Sequence, residues 1–324
     1  MANTAYDASG LRQVFERHFT WAAAFERNTH RYADRPALTD PASGRRWTYA
    51  ELGALTGGLA AGLAARGVGV GDLVCYQLKN VPEFAFLYVA AQGLRAMSSP
   101  MNFRLAPAET AHILDSMRPA VYVYAAEDEA AAAAALELAA LRPDTVAVVG
   151  GEPMPGAVRF EDLILDGTPS FRAPEGASTW DETSRIYTSG TTGLPKAVPM
   201  TSLNEGLTAH DVIMHFPLGP EDRTLNMSPW FHRGGNYCAG PNTMFFVGGE
   251  VVTLKNFDEE VVLDRVVEHG LSYLVGAPTN LERLADAQEA SPRDLSSLRG
   301  IVTMGASGGP RHVGWGGDRY GGGP

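Results

Sequence analysis

The sequence is poor in cysteine and has no excess of positive charge. Its two cysteines, Cys75 and Cys238, give neither a disulfide framework nor a metal-binding spacing. No apolar run is long enough to span a bilayer, and the N-terminus lacks the basic and then apolar pattern of a signal peptide. The net charge of −11, without a basic stripe, argues against a nucleic-acid surface. We therefore expect a cytoplasmic protein with no membrane span and no nucleic-acid partner.

The length and the order of strand and helix signals indicate the fold class. A chain of 324 residues exceeds the size at which one core usually keeps growing, so two subdomains are expected. Apolar β-type segments at 72–78, 121–124 and 146–149 alternate with helical segments at 82–93 and 110–117. Such alternation predicts an α/β fold with mostly parallel sheets that are covered by helices.

Several short polar groups are interpreted as helix ends. They are Thr48 with Glu51, Ser202 with Glu205, Asp258 with Glu259 and Glu260, and Asp222 with Arg223. The first two have the spacing of a capping box, in which a hydroxyl and a carboxylate satisfy the first backbone N–H groups of a helix. The other two are predicted to be solvated charges next to a helix terminus.

One run, residues 187–196, is the most informative part of the chain. It holds four hydroxyl side chains, two glycines and one lysine: Thr188, Ser189, Thr191, Thr192, Gly190, Gly193 and Lys196. The glycines let the backbone approach a ligand closely, and the hydroxyls add hydrogen-bond donors. Lys196 supplies a compact positive charge that suits phosphate oxygens. A polyphosphate is the natural partner of such a loop.

The spacing within this run separates it from other phosphate-binding loops. A Walker A loop needs a glycine before the lysine and a serine or threonine after it, whereas Pro195 and Ala197 occupy these positions. The dinucleotide-binding pattern Gly-x-Gly-x-x-Gly is also absent. The alternative is a polar surface turn, since serine, threonine and glycine cluster in many loops. A match of this specificity favours the phosphate-binding interpretation.

The run resembles the signature loop of the adenylate-forming (AMP-binding) enzymes, which include acyl- and aryl-CoA ligases, luciferases and peptide-synthetase adenylation domains. Ala197 stands where the family usually has glycine. The resemblance extends over roughly residues 20–307, and it is also carried by segments 47–52, 100–105, 229–235 and 298–307. Segment 229–235, Pro-Trp-Phe-His-Arg-Gly-Gly, is similar to the family's histidine-bearing substrate motif.

The resemblance implies a fold and a division into domains. It implies two interleaved, mostly parallel sheets flanked by helices, as in the large N-terminal domain of the family. One subdomain would comprise residues 66–204, with the phosphate loop at its end, and the other would comprise 1–65 and 205–307. Nine of the last twenty residues are glycine, so 308–324 is expected to be a disordered tail.

The resemblance also implies a reaction and a set of site residues. The reaction would activate a fatty or aromatic carboxylic acid with ATP, giving an acyl-adenylate, and then form a thioester with CoA or a carrier-protein thiol. The loop from Thr188 to Gly193 would hold the phosphates, and Gly305, Ala306 and Ser307 would border adenine. Lys196 and His232 are the expected catalytic residues. The expected acid pocket contains His232 together with Trp230, Phe231 and Gly235.

Other parts of the family pattern are not recognisable in this sequence. The family carries a Tyr-Gly-x-Thr-Glu segment whose glutamate helps to hold Mg²⁺, and a small C-terminal domain with a catalytic lysine. Neither is found here, so the chain is expected to be truncated within the large domain and to be weakly active or inactive alone. A frameshift or an early stop could account for this. The alternatives are a non-catalytic ATP-binding or interaction protein and a phosphotransferase that uses the same loop.

Overall fold

Strands and helices alternate throughout residues 8–189 and 195–303, which are the residues that this computed structural model describes. The helices are α1 (Ala8–His18), α2 (Trp21–Arg31), α3 (Tyr49–Ala64), α4 (Pro82–Gly93), α5 (Pro107–Met117), α6 (Glu129–Leu138), α7 (Ser202–His215), α8 (Arg233–Asn236), α9 (Pro241–Val247), α10 (Glu259–His269) and α11 (Pro278–Ala290). The strands are β1 (Pro36–Asp40), β2 (Arg45–Thr48), β3 (Leu73–Gln77), β4 (Met97–Pro100), β5 (Val121–Ala125), β6 (Thr145–Val149), β7 (Val158–Arg159), β8 (Glu182–Ser189), β9 (Pro195–Thr201), β10 (Arg223–Asn226), β11 (Glu250–Val252), β12 (Tyr273–Gly276) and β13 (Gly300–Thr303).

The strands form two sheets. The first has the order β13-β12-β10-β11-β1-β2, and the second has the order β7-β6-β5-β3-β4-β8-β9. Only the pairs β1–β2 and β8–β9 are antiparallel among the described strands. Strands β1 and β2 come before the second sheet in the chain, and the rest of the first sheet comes after it. The predicted α/β fold with two interleaved, mostly parallel sheets is confirmed. The domain boundaries stay a prediction, and the predicted tail, 308–324, lies outside the described residues.

Helix α4 lies between the two sheets, where it contacts β1 of the first and both β3 and β4 of the second. Its residues from Phe84 to Gln92 are all buried, which is why its sequence is apolar all round instead of showing one stripe. The central strand β3 is likewise buried along its whole length, as expected for a parallel strand with both faces covered. The two sheets therefore share one core, with α4 between them.

Two of the predicted helix ends are confirmed. Thr48 and Glu51 form a complete capping box at the start of α3, since each side chain bonds the other residue's backbone N–H. Asp258 caps α10 by accepting a hydrogen bond from the backbone N–H of Val261. Helix α10 ends at Gly270, which adopts the left-handed conformation that glycine tolerates best.

The predicted cap of α7 is wrong by one residue. Thr201 is the N-cap, and it exchanges hydrogen bonds with Asn204 three residues later. Ser202 is buried and accepts a hydrogen bond from the backbone N–H of Trp21 at 2.9 Å. Glu205 lies in the first turn of the helix but is fully buried. Successive residues of an α-helix are about 100° apart, so Ser202 and Glu205 face the core while Asn204, one position before Glu205, is exposed.

The interpretation of Asp222 and Arg223 as solvated helix ends is also wrong. Arg223 is the first residue of strand β10, and its guanidinium lies 3.0 Å from the carboxylate of Glu250. Asp222 is only 2% exposed and pairs with Arg299 at 2.7 Å. The pair of Arg223 and Glu250 joins the amino ends of the neighbouring strands β10 and β11, and the pair of Asp222 and Arg299 joins the amino ends of β10 and β13, which lie on either side of β12. Both partners are far away in the sequence, so the sequence gives no sign of these ion pairs.

Candidate nucleotide and acid site

The predicted phosphate loop connects the two strands of the β8–β9 hairpin. In this hairpin Thr188 is opposite Lys196 and Ser189 is opposite Pro195. Thr188 and Lys196 are both exposed, and Lys196 forms no ion pair with any described residue. A hydroxyl and an ammonium group thus stand side by side, free to meet an anionic ligand. The predicted residues Gly190, Thr191, Thr192 and Gly193 lie outside the described residues.

Strand β8 is held in place by side chains of the sheet beneath the hairpin. The hydroxyls of Tyr187 and Ser99 lie 2.9 Å apart, and burial raises the pKa of Tyr187 well above its ordinary value. Ile186 packs with Met200 of β9 and with Tyr237 in a small apolar cluster. The strand that leads into the predicted loop is therefore fixed on both of its faces.

The predicted acid-pocket segment follows strand β10 of the other sheet. Trp230 is 1% exposed and packs edge-on against Phe84 of α4, with the ring centroids 5.5 Å apart. Phe231 is buried against Phe103 in the same manner, also at 5.5 Å. The ring of His232, 4.1 Å from that of Phe231, is exposed. Of the side chains in this segment, those of His232 and Arg233 are exposed, whereas the rings of Trp230 and Phe231 are buried.

Gly235 is required by close packing within this segment. A Cβ added at this position would lie 1.9 Å from the carbonyl oxygen of Pro229, which is far inside van der Waals contact. The backbone of α8 therefore closes tightly onto the residues that precede His232. The role of Gly235 in the acid pocket stays a prediction.

Two buried asparagines shape the segment, and the sequence interpretation missed both. The side-chain amide of Asn80 donates to the carbonyls of Asn226 and Ser228, and its oxygen accepts a hydrogen bond from the backbone N–H of Trp230. The amide of Asn226 donates to backbone carbonyls of Gly235 and Cys238, at 2.9 and 2.8 Å. Their position after or at the carboxyl end of a parallel strand is the signal that could have revealed them.

The electrostatic surroundings of His232 favour its neutral form. Desolvation lowers the pKa of His232 below its ordinary value, and the positive charge of Arg104 lowers this pKa further. Arg104 and Lys79 both lie over the ring of Phe103, at 5.2 and 5.8 Å from its centroid. A neutral imidazole near the charge of Arg104 can offer a hydrogen-bond donor or acceptor to an acid without adding a charge.

A charged cluster joins three loops beside this segment. Glu127, after β5, contacts Lys79 at 3.0 Å and Lys255 at 2.6 Å. Lys79 also donates to the side chain of Asn256 at 3.0 Å. The hydrogen bond from Lys255 lowers the pKa of Glu127, with Lys79 contributing as well. The cluster ties loops from both sheets together at the side where their strands end.

The predicted adenine-binding residues Gly305, Ala306 and Ser307 lie outside the described residues. The strand that leads to them, β13, is described and pairs in parallel with β12, with Thr303 opposite Gly276. Its carboxyl end is therefore on the same side of the sheet as that of β10. Within residues 8–189 and 195–303, no group of three or more His, Cys, Asp or Glu residues is placed to hold a metal ion.

A family model described as "AMP-binding enzyme" matches residues 25–322. The chain belongs to the AMP-binding enzyme family. The match includes the β8–β9 hairpin, the segment around His232 and strand β13. The relatives of this AMP-binding enzyme include a 4-coumarate–CoA ligase 3 of Oryza sativa subsp. japonica. The two are 29% identical over 83% of this chain and 48% of the relative.

A second relative and a solved structure agree with this assignment. A feruloyl-CoA synthase of an Amycolatopsis species is 30% identical over 81% of this chain and 50% of the relative. The crystal structure of a putative long-chain-fatty-acid CoA ligase from Rhodopseudomonas palustris CGA009 superimposes with a TM-score of 0.81, at 26% identity, over 91% of this chain and 71% of that one. The chain spans about half the length of the curated relatives that it matches. None of the described helices is both apolar enough and long enough to traverse a bilayer.

Proposed function

We propose that this chain binds ATP and takes part in the activation of a carboxylic acid for thioester formation, as in an acyl- or aryl-CoA ligase. The observation that carries the proposal is the exposed pair Thr188 and Lys196, which lie opposite each other near the loop end of the β8–β9 hairpin. The residues between them are rich in glycine and hydroxyl groups, which suits a triphosphate. The neutral, exposed His232 borders the acid in this proposal.

The first step of the proposed reaction forms an acyl-adenylate. A carboxylate oxygen attacks the α-phosphorus of ATP, the bond from this phosphorus to the bridging oxygen breaks, and pyrophosphate leaves with the electron pair. Lys196 would neutralise part of the charge that develops on pyrophosphate. In the second step a thiolate of CoA, or of a carrier protein, attacks the acyl carbonyl and releases AMP.

The acid class follows from the surroundings of His232. The nearby aromatic rings of Phe103 and Phe231 favour an apolar or aromatic acid over a free amino acid. The names of the two relatives, a 4-coumarate–CoA ligase and a feruloyl-CoA synthase, agree with an aromatic acid. A fatty acid is the other apolar candidate, in line with the name of the superimposed R. palustris enzyme.

Adenylation trapped with hydroxylamine tests the proposal across a panel of aromatic and aliphatic acids. Replacing Lys196 by Ala should lower the trapped product by about 10²-fold or more, since a charge on the leaving group is lost. Arg27→Ala, which removes an exposed cation from α2, should leave the signal unchanged. Equal signals from Lys196→Ala and the wild type would contradict the assignment of the hairpin.

The same assay separates the two alternatives. Saturable ATP binding that Lys196→Ala abolishes, without acid-dependent release of pyrophosphate, would favour a non-catalytic ATP-binding protein. Formation of ADP with a hydroxyl acceptor would instead indicate a phosphotransferase.

A further inference from the structure

Glu205 of α7 is a fully buried carboxylate without a described cationic partner. It forms no ion pair with the residues of 8–189 or 195–303, and all its contacts are with neutral side chains. Oε1 lies 2.8 Å from the hydroxyl oxygen of Ser184 and 3.1 Å from that of Tyr237. Oε2 accepts from the hydroxyl of Tyr88 at 3.1 Å and the amide of Gln92 at 3.0 Å. Four side chains from three parts of the fold thus converge on one acid.

The hydrogen-bond geometry around Oε1 favours a protonated acid. The hydroxyls of Ser184 and Tyr237 also lie 2.7 Å from each other, so these two oxygens and Oε1 of Glu205 form a closed triangle. Each side of this triangle is a hydrogen-bond distance and needs one proton. The two hydroxyls supply only two protons, and the third must come from the carboxyl group. Ionised Glu205 therefore leaves one pair of oxygens facing each other without a proton.

The triangle connects the two halves of the candidate site. Ser184 lies on β8, whose last residues lead into the predicted phosphate loop. Tyr237 directly follows α8, which begins after His232. We infer that Glu205 is a positioning residue that, as the neutral acid, ties β8 to the segment carrying His232, so that ATP binding at the hairpin is coupled to proton uptake by Glu205. This inference rests on the proposed function of the hairpin.

The groups that face Glu205 agree with this coupling. Burial raises the pKa of Glu205 to about 7, against the hydrogen bonds of Ser184, Tyr88, Tyr237 and Thr183, which lower it. Burial also raises the pKa values of Tyr88 and Tyr237 well above their ordinary value, so both stay neutral donors. Helix α4, strand β8 and the segment after α8 contribute no described cation to this carboxylate. Both forms of Glu205 are thus populated near neutral pH.

Ionisation would weaken ATP binding for two reasons. A bare carboxylate in the interior repels the triphosphate, and this repulsion is weakly screened because the group is desolvated. When Glu205 is ionised, one pair of oxygens in the triangle has no proton between them, and their repulsion pushes Ser184 and Tyr237 apart. This movement weakens the contacts that hold β8 in place. ATP affinity should therefore fall as the pH rises through about 7.

Titration calorimetry of ATP binding between about pH 6 and pH 8 tests the inference. The wild type should lose affinity by about fivefold or more over this range, within the usual span of coupling between sites. The glutamine side chain in Glu205→Gln has a donor and an acceptor but does not titrate. The ATP affinity of this variant should therefore be independent of pH, once the protonation of ATP itself has been corrected for. Asp211→Asn, an exposed change on the same helix, should retain the dependence of the wild type. The same pH dependence in Glu205→Gln and the wild type would overturn the inference.

Two further readouts keep the test decisive. If Glu205→Gln does not fold, Tyr237→Phe serves instead: it removes one donor to the carboxylate and should move the midpoint of the pH dependence to higher pH. An unmoved midpoint would count against the inference. If the wild type binds no ATP at any pH, the proposed function and the coupling both fail. In that case infrared spectroscopy still shows whether Glu205 is protonated, because a neutral carboxylic acid gives a carbonyl band that Glu205→Gln lacks. If the wild type has no such band at pH 6, neutral Glu205 does not connect β8 to the segment carrying His232, and the inference is refuted.

Discussion

Asn80 accepts a hydrogen bond from the backbone N–H of Trp230 at 2.8 Å, and this bond joins the loop after β3 to the segment that carries His232. The same side chain donates to the carbonyls of Asn226 and Ser228. One buried amide thus satisfies three backbone groups of strand β10 and the loop that follows it. A buried segment that follows a strand needs hydrogen-bond partners of this kind, because its backbone N–H and C=O groups no longer pair with a neighbouring strand.

Replacing Asn80 should destabilise the protein strongly. Asn80→Leu leaves the three backbone groups buried without partners, which should lower the free energy of unfolding by about 2–4 kcal/mol. Asn256→Ala is the control, since this exposed asparagine bonds only to the flexible side chain of Lys79, and a change of about 0.5 kcal/mol or less is expected. Guanidinium denaturation of both variants measures the difference. Similar values for the two would show that Asn80 does not tie the segment.

The charge of Arg104 should control the titration of His232. Because Arg104 lowers the pKa of His232, Arg104→Gln should raise this pKa toward that of a free histidine. The imidazole signals of His232 in NMR spectra, followed against pH, measure the change. Arg17→Gln, which removes a cation from the distant helix α1, should leave the curve unmoved. A pKa that does not rise in Arg104→Gln would mean that desolvation alone sets it.

A methyl group at Gly235 should not be tolerated. The added Cβ would lie 1.9 Å from the carbonyl oxygen of Pro229, so α8 or the residues before His232 must shift. Gly235→Ala should cost about 3 kcal/mol or more in the free energy of unfolding. Gly206→Ala on α7 is the matched control, because its Cβ would meet only Phe246 at 4.0 Å, and alanine there should be neutral or stabilising by up to about 1 kcal/mol. Thermal unfolding of both variants compares them.

The stability of the protein should depend on pH through Glu205. Its pKa is raised to about 7 in the fold, so the native state holds a proton that the unfolded chain releases above pH 4.5, the ordinary pKa of a glutamate. The contribution of Glu205 to the free energy of unfolding is complete below pH 4.5. It is lost as the pH rises to about 7, at roughly 1.4 kcal/mol per pH unit. Glu205→Gln should lack this slope. Urea denaturation at several pH values compares the two proteins, and equal slopes would show that Glu205 does not hold the extra proton.

Local sequence patterns predicted those parts of the fold that depend on residues close together in the sequence. The alternation of strand and helix signals predicted mostly parallel sheets covered by helices, and the family resemblance implied that there are two of them. The capping box of Thr48 and Glu51 was found because its two members are three residues apart. The run around Lys196 was singled out for the same reason, since its glycines, hydroxyls and lysine are close together in the sequence, but the hairpin that carries it was not predicted. The expected roles of these residues toward ATP stay predictions.

Contacts between distant segments could not be predicted in this way. Asn80 and Trp230 are 150 residues apart, and the partners of Glu205 range from Tyr88 to Tyr237. Nothing in the residues around each asparagine or glutamate indicates which backbone or hydroxyl it meets. Such pairs depend on the packing of α4 between the sheets, and this packing is a property of the whole core.

The start of α7 shows which features the sequence determines and which depend on the tertiary structure. The sequence alone predicted that a helix begins near residue 202, because Ser202 stands three positions before Glu205. The structure shows a second pair with the same spacing one residue earlier, and local energies hardly distinguish the two overlapping caps, Thr201 with Asn204 and Ser202 with Glu205. The tertiary structure chose the first, since Ser202 bonds to Trp21 in the core and three hydroxyls and an amide enclose Glu205. A phase difference of one residue decides which side chain is solvated, and only the neighbouring elements fix that phase.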